Sequence, residues 1–368
     1  MANSLIKSYL DLKIYLEDKS IKKIFIICGA KSIKELKFKE KIIGFKLNKE
    51  ISYYAKTNPY PEFEELIKIC IEAEKIKPDL IIAVGGGSVI DYAKIVSVLD
   101  LNEDNLKEKI ILNNIGFKKK YKVLAIPTTA GSGAEVTSNA VIYLERNKYS
   151  LENKNIRPDD FLLIPDLVNI GTSKIKASAG FDAISQAIES IISMKSNSLS
   201  YDFALKSLKI SIANYIDYLK SPSSDNTFNM CLSANLAGEA INISKTTAPH
   251  AVSYPFTSYF GISHGHAVAL NLSKFLKFNY ENLLKSKAEF NLQERYKSIF
   301  NVTNTKSINE LCALIENLAN KANLELNYAK LGININENMN LILDGINSQR
   351  LKNNPVEISV NELKKIIL

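Results

Sequence analysis

The stretch DLIIAVGGGSVIDYAKIVSVL, residues 79–99, decides the fold. An apolar run of strand length stops at three glycines, and a helical pattern begins directly after them. Glycines let the backbone turn tightly and approach a ligand closely. Ser88 is expected to cap a helix beginning near Val89. A strand, a glycine turn and a helix N-terminus together suit a phosphate, because free N–H groups and the helix dipole both favour an anion. The spacing is neither GxGxxG nor a Walker loop, since no Gly-Lys-Ser/Thr follows. Taken alone it leaves a bound nucleotide and a plain tight turn both open.

The same grammar extends on either side. KIFIICG (23–29) reads as a buried strand ending in glycine, and ISYYA (51–55) as a second. The helical run PEFEELIKICIEAEKIK (61–77) follows it, and KVLAIPTT (122–129) makes a fourth strand after the one at 79–87. Strands alternating with helices predict a doubly wound, mostly parallel sheet. PTTAGSGAEVT (127–137) is then a second glycine- and hydroxyl-rich loop at a strand's carboxyl end, the edge where such sheets bind ligands. From about residue 171 long helical patterns take over: ASAGFDAISQAIESIIS, YDFALKSLKISIANYIDYLK and TFNMCLSANLAGEAINISK. The expected division is an α/β dinucleotide-binding domain over 1–170 and an all-α domain over 171–368.

Bulk composition excludes several classes. The 368 residues are 46% apolar and 23% charged, ordinary for a globular chain. The net charge of +8 comes from lysines spread along the sequence. The densest cluster, KKKYK at 118–122, lacks interleaved aromatics and reads as a solvated loop, not a nucleic-acid site. No uncharged apolar run approaches about 18 residues, so no membrane span is expected. MANSLIKSYLDLK at the start has no signal-peptide pattern. Cys28, Cys70, Cys231 and Cys312 form no CxxC pair, and Cys28 and Cys70 sit in apolar runs as buried thiols. A reduced, cytoplasmic protein is the expectation.

The three histidines of the chain all fall in PHAVSYPFTSYFGISHGHA, residues 249–267. His250 opens a short helical pattern and His264 precedes a glycine, so two adjacent elements can face one site. GFDAISQAIES (180–190) offers Asp182 and Gln186 at i and i+4, with Glu189 continuing that face. Oxygen and imidazole donors of this kind suit Fe²⁺ or Zn²⁺.

GGGSVID (85–91), PTTAGSGAEVT (127–137), GFDAISQAIE (180–189) and the two His segments occur in one order, and in that order the chain resembles the iron-dependent (group III) alcohol dehydrogenases, kin of glycerol dehydrogenase and dehydroquinate synthase. KTTAPHAVSYPFTSYFGISHGHA (245–267) and RLKNNP (350–355) look most like the phosphonoacetaldehyde reductase branch, which makes 2-hydroxyethylphosphonate. The resemblance implies that Asp182, His250 and His264 hold a metal. It implies that Gly85, Gly86, Gly87 and Ser88 cradle the cofactor pyrophosphate, with Asp91 in the following helix. Thr128, Thr129 and Ser132 would lie along the cofactor, with Lys148 near the nicotinamide ribose. It also implies an assembly of identical subunits.

Two departures stand out. Many members carry histidine where Gln186 stands, so this site has three firm ligands and a weak amide oxygen. Where many have a histidine four residues after the first ligand, this chain has Tyr254, which leaves His266 and Tyr254 as proton-transfer candidates.

The expected chemistry is NADPH- or NADH-linked reduction of a small aldehyde, with a metal as Lewis acid. The end of the second strand, ISYYAKTNP, puts Tyr53 or Tyr54 where an NAD-selecting acid would fall and Lys56 nearby, which favours NADPH. Glu50 would restore the acid in a shifted register. The arginines are Arg146, Arg157, Arg295 and Arg350; Arg350 suits a phosphonate through its guanidinium fork, and Lys245 is a second substrate candidate. The rivals are dehydrogenation of another short alcohol or polyol, a dehydroquinate-synthase-like cyclising lyase, and a non-catalytic binder.

Overall fold

The structure, a computed structural model, describes residues 8–29, 37–145 and 147–368; Arg146 and the first seven residues lie outside them. Contacts divide the chain into an α/β unit, residues 1–129 with 133–171, and a helical unit, residues 130–132 with 172–368.

In the α/β unit, α1 (Tyr9–Leu16) precedes β1 (Lys23–Gly29), α2 (Phe38–Gly44), β2 (Glu50–Lys56) and α3 (Phe63–Ile76). Then come β3 (Leu80–Gly85), α4 (Gly87–Val96), α5 (Leu106–Ile111) and β4 (Lys122–Pro127). A hairpin of β5 (Asn139–Leu144) and β6 (Asn147–Glu152) follows, then β7 (Asp160–Phe161) and α6 (Pro165–Asn169). The sheet order is β2-β1-β3-β4-β7, with every pairing parallel. β1 and β3 are near-continuous apolar runs because both of their faces are covered. One apolar cluster packs Phe25, Ile27, Ile81 and Ala83 against α3 and α4, while Ile24, Ile26, Ile82 and Val84 join α1 and α2 on the other face. Strand order reverses between β1 and β3, the topological position where ligands bind in such sheets.

Two expectations need correction. Ser88 does not cap a helix: α4 begins at Gly87 with Gly86 as its N-cap and no side-chain cap. Gly85 lets the chain turn that early, because a Cβ there would collide with the Val89 side chain. Glu50 lies at the amino end of β2, opposite Lys23 and 3.8 Å from its ammonium, so no register brings it to the ligand edge. The lysines at 118–122 lie on an exposed loop as expected, with Lys119 paired to Asp159 at 3.1 Å and Lys120 to Glu74 at 3.4 Å, and Lys122 opening β4.

A buried polar clasp joins α4 to the hairpin. Lys94 donates to Thr137 Oγ1 at 2.8 Å and to the Asn139 carbonyl at 3.0 Å, while Asp91 accepts from the Val141 amide at 3.1 Å. Burial pushes the Asp91 carboxyl up to about 6 and the Lys94 ammonium down to about 8, each opposed by the other's charge.

The helical unit is built on α7 (Ser173–Ile192), whose last seventeen residues are buried apart from Ala179. A helix buried all round must be sheathed by others. It is packed by α8 (Ser198–Lys220), α9 (Ser224–Ser244) and the short α11 (His264–Ala269), which follows α10 (Ala248–Phe260). Ser207 and Ser233 donate to each other's carbonyls at 2.8 and 3.0 Å, a close approach that only small side chains permit. Six further helices complete the described part: α12 (Leu272–Glu281), α13 (Leu292–Thr303), α14 (Ile308–Lys321), α15 (Ile335–Asp344), α16 (Ser348–Leu351) and α17 (Val360–Ile367). Gly265 is the tightest point: a Cβ there would run into the Ser178 carbonyl and stand 2.9 Å from Asp182 Cβ.

Two stability predictions follow from this packing. Lys94→Met leaves Asp91 buried without its countercharge and should cost about 3 kcal/mol. Losing Lys94 raises the Asp91 pKa further, so the carboxyl binds a proton that the unfolded chain releases above about pH 4. The deficit in urea unfolding should therefore be larger at pH 8 than at pH 5. Gly265→Ala should cost about 3 kcal/mol through overpacking, read as a lowered thermal midpoint.

Candidate functional site

Within the α/β unit the register aligns Gly85 with Pro127, so the two glycine loops leave adjacent strands at one edge. The Thr128 amide donates to the Gly85 carbonyl at 3.0 Å, and a Cβ on Gly86 would stand 3.4 Å from Thr129 Oγ1. Gly86, Gly87, Ser88, Thr128 and Thr129 thus line one patch, partly open to solvent, at an uncapped helix N-terminus. Ser132 groups with the helical unit. Asp91 is buried and spent on the hairpin; Lys148, on β6 opposite Tyr143, acts on it electrostatically.

At the end of β2 the polar groups are largely committed. Buried Lys56 donates to the carbonyls of Asn58 and Pro59. Glu65 on α3 accepts from the Thr57 amide at 2.6 Å through one oxygen, and from the Asn58 amide at 3.2 Å and Tyr92 hydroxyl at 3.0 Å through the other. Sequence reading missed Glu65. A charged residue among the apolar positions that form the buried face of α3 was its only signal.

In the helical unit, Asp182, Gln186 and Glu189 share the buried face of α7 at i, i+4 and i+7. α10 brings His250 against them and α11 brings His264. One donor atom each from Asp182, His250 and His264 lies within 4.8 Å of the others. His250 Nε2 is 3.2 Å from Asp182 Oδ1, and His264 Nε2 is 4.0 Å from it. His250 Nδ1 bonds Glu189 Oε1. The other Glu189 oxygen accepts from the Thr247 amide at 2.7 Å and from its hydroxyl at 2.8 Å.

This arrangement fits a cation. With its Nδ1–H donating to Glu189, His250 turns the Nε2 lone pair towards Asp182, and two acceptors at 3.2 Å need a positive charge between them. Without an ion, burial opposes charging of the ring, yet Glu189 and Asp182 overcome it and push His250 up to about 10. Gln186 Nε2 donates to Asp182 Oδ2 at 3.1 Å, while its Oε1 is buried without a partner, an orphan acceptor beside the cluster.

Tyr254 lies one turn after His250, its ring centroid 6.1 Å from that of His264. His266 points elsewhere: its Nε2 bonds the Glu325 carbonyl at 2.7 Å. Pro255 interrupts the α10 hydrogen-bond ladder, which frees the Ala251 carbonyl. The Asn347 amide takes that acceptor at 3.3 Å, and Asn347 caps α16 by accepting from the Arg350 amide at 2.9 Å. A missing N–H in the His250 helix therefore anchors the turn that carries Arg350. The asparagines of RLKNNP are structural: Asn353 donates to the Thr246 carbonyl at 3.2 Å, and Asn354 pairs with Asn279 at 2.7 Å. Lys245 donates to the Asn242 carbonyl at 3.1 Å.

Comparison with known proteins agrees with this construction. Residues 7–165 match the family described as iron-containing alcohol dehydrogenase, and residues 176–368 match the C-terminal part of the Fe-containing alcohol dehydrogenase family. An NADPH-dependent butanol dehydrogenase of Clostridium saccharobutylicum is 27% identical over 94% of this chain and 90% of its own. A phosphonoacetaldehyde reductase of Streptomyces viridochromogenes is 30% identical over 56% of this chain and 54% of its own. Among solved structures, sulfoacetaldehyde reductase from Bifidobacterium kashiwanohense superposes with a TM-score of 0.87 at 23% identity, covering 100% of this chain and 96% of that one. With family matches in both halves and a largely buried donor cluster in the second, this chain belongs to the iron-containing alcohol dehydrogenases, and is an NAD(P)-linked, metal-dependent oxidoreductase of alcohols and aldehydes.

Proposed function

We propose that the chain reduces a small aldehyde to a primary alcohol with NADPH or NADH, and that the physiological aldehyde is phosphonoacetaldehyde, giving 2-hydroxyethylphosphonate. The observation that carries the reaction class is the Asp182, His250 and His264 cluster, with Asp182 and His250 buried and His264 partly exposed. Bound there, Fe²⁺ or Zn²⁺ supplies Lewis acidity to the carbonyl. Asp182, His250 and His264 hold the ion, with Gln186 Oε1 as a weak fourth donor. Gly85, Gly86, Gly87 and Ser88 receive the pyrophosphate through backbone N–H groups, and Thr128, Thr129 and Ser132 take the rest of the cofactor with Lys148. Asp91 serves the cofactor indirectly, by fixing the hairpin that carries Lys148. Tyr254, beside His264, delivers the proton that completes the alcohol; His266 is the second candidate. The carboxylate after β2 on α3, Glu65, is committed to the Thr57 and Asn58 amides and the Tyr92 hydroxyl, which supports NADPH. Arg350 and Lys245 recognise the phosphonate. A cytoplasmic homo-oligomer belongs to the same proposal.

The match to a butanol dehydrogenase over 94% of the chain favours a second reading, a neutral short aldehyde. Oxidation of NADPH and NADH is to be followed with phosphonoacetaldehyde, glycolaldehyde, propanal and glyceraldehyde, on protein loaded separately with Fe²⁺ and Zn²⁺. Preference for phosphonoacetaldehyde, lost in Arg350→Ala through a KM rise of about 10-fold or more, supports the phosphonate. Equal rates with propanal would sink it and leave the dehydrogenase standing. Gln186→His, which adds an imidazole beside Asp182, should tighten Zn²⁺ about 10-fold or more in chelator competition.

A further inference from the structure

Glu189 is the most deeply buried charge in the helical unit, at 0% exposure, and the family reading gives it no role. It cannot reach solvent, and it lies one turn beyond Gln186 on the α7 face. All its partners come from residues about sixty positions away: His250 Nδ1 on one oxygen, the Thr247 amide and hydroxyl on the other. Burying a carboxylate this completely is costly unless its oxygens are hydrogen-bonded, and here three donors meet them, one on Oε1 and two on Oε2.

We infer that Glu189 is the positioning residue of the metal centre: it fixes the His250 ring as the Nδ1–H tautomer and so reserves Nε2 as the metal donor. The inference rests on the metal-dependent reading above. Two consequences are visible in the geometry. A carboxylate can only accept, so the His250 Nδ1–H donates to Glu189 and keeps its proton. Nε2 then faces Asp182 Oδ1 at 3.2 Å, the side of the ring an ion needs. The same carboxylate holds Thr247, the N-cap of α10, and therefore sets where the His250 helix begins. Thr247 has no side-chain capping bond of its own; its hydroxyl is given to Glu189 instead. His266 supplies a built-in contrast, because its Nε2 faces a backbone carbonyl and must itself carry the proton.

The chain's three histidines make this directly readable. In ¹⁵N-histidine-labelled protein loaded with Zn²⁺ there are six ring nitrogens, assigned by substituting one histidine at a time. His250 should show a protonated Nδ1 and a metal-bound Nε2, and His266 a protonated Nε2. Glu189→Gln keeps an acceptor for His250 but presents an amide N–H₂ to Thr247 or to the ring. It should weaken Zn²⁺ binding about 10- to 100-fold in chelator competition, with NADPH affinity of the same preparation unchanged. Thr247→Val, which removes one bond to Glu189 but leaves the carboxylate on His250, should change Zn²⁺ affinity by less than about 3-fold.

Zn²⁺ held through His250 Nδ1, or undiminished Zn²⁺ affinity in Glu189→Gln, would overturn the inference. So would equal losses of Zn²⁺ and NADPH binding, which would mark Glu189 as merely structural. If Glu189→Gln does not fold, the wild-type ring assignment still decides. Wild-type protein that binds no Zn²⁺ or Fe²⁺ would instead overturn the metal reading itself, a distinct result.

Discussion

Two carboxylates buried seven residues apart on one helix impose the constraint on which the helical unit depends. Asp182 and Glu189 lie inside α7 with almost no solvent, and water cannot screen them. Each must be met by positive charge or by donors brought from elsewhere in the chain. The imidazole of His250 stands between them and touches both. The start of α10 is consequently pinned to the middle of α7. Gly265, which lets α11 come against Ser178 and Asp182, brings the second imidazole onto the same carboxylate. A metal centre here reads as the solution to an electrostatic demand that the fold itself creates.

The α/β unit meets a different demand. Its ligand edge is made of backbone groups, so what matters is where strands end. Parallel pairing sets Gly85 beside Pro127, and the early turn at Gly85–Gly87 leaves a helix N-terminus without a side-chain cap. Behind it, Asp91 and Lys94 are consumed in holding the β5–β6 hairpin. Part of the glycine motif's helix is thus scaffold, even though its sequence reads as a single ligand-binding unit.

Pro255 shows how a local rule is converted into long-range order. A proline inside a helix removes one hydrogen bond and exposes one carbonyl. In this chain the Ala251 carbonyl so released is taken by Asn347, which caps the short helix carrying Arg350. The residues of RLKNNP then divide by environment. Asn353 and Asn354 are buried staples, while the Arg350 side chain remains partly exposed.

The alternation of strands and helices, the two glycine loops and the cluster of histidines were all legible in the sequence, because they depend on spacing over a few residues. So was the pairing of Asp182 with His250 and His264, through resemblance and through the i, i+4, i+7 face of α7. The capping of α4 was misread, since a steric contact between Gly85 and Val89, not the presence of Ser88, decides where the helix starts. The roles of Glu65 and Pro255 were not legible for a related reason: their partners are determined by packing. Sequence alone determined which side chains are available as donors to an ion and where the glycine loops fall. Only the tertiary structure decided which nitrogen of His250 faces Glu189 and which faces Asp182, because that choice belongs to groups 61 and 68 residues apart that meet only once α7 and α10 have packed.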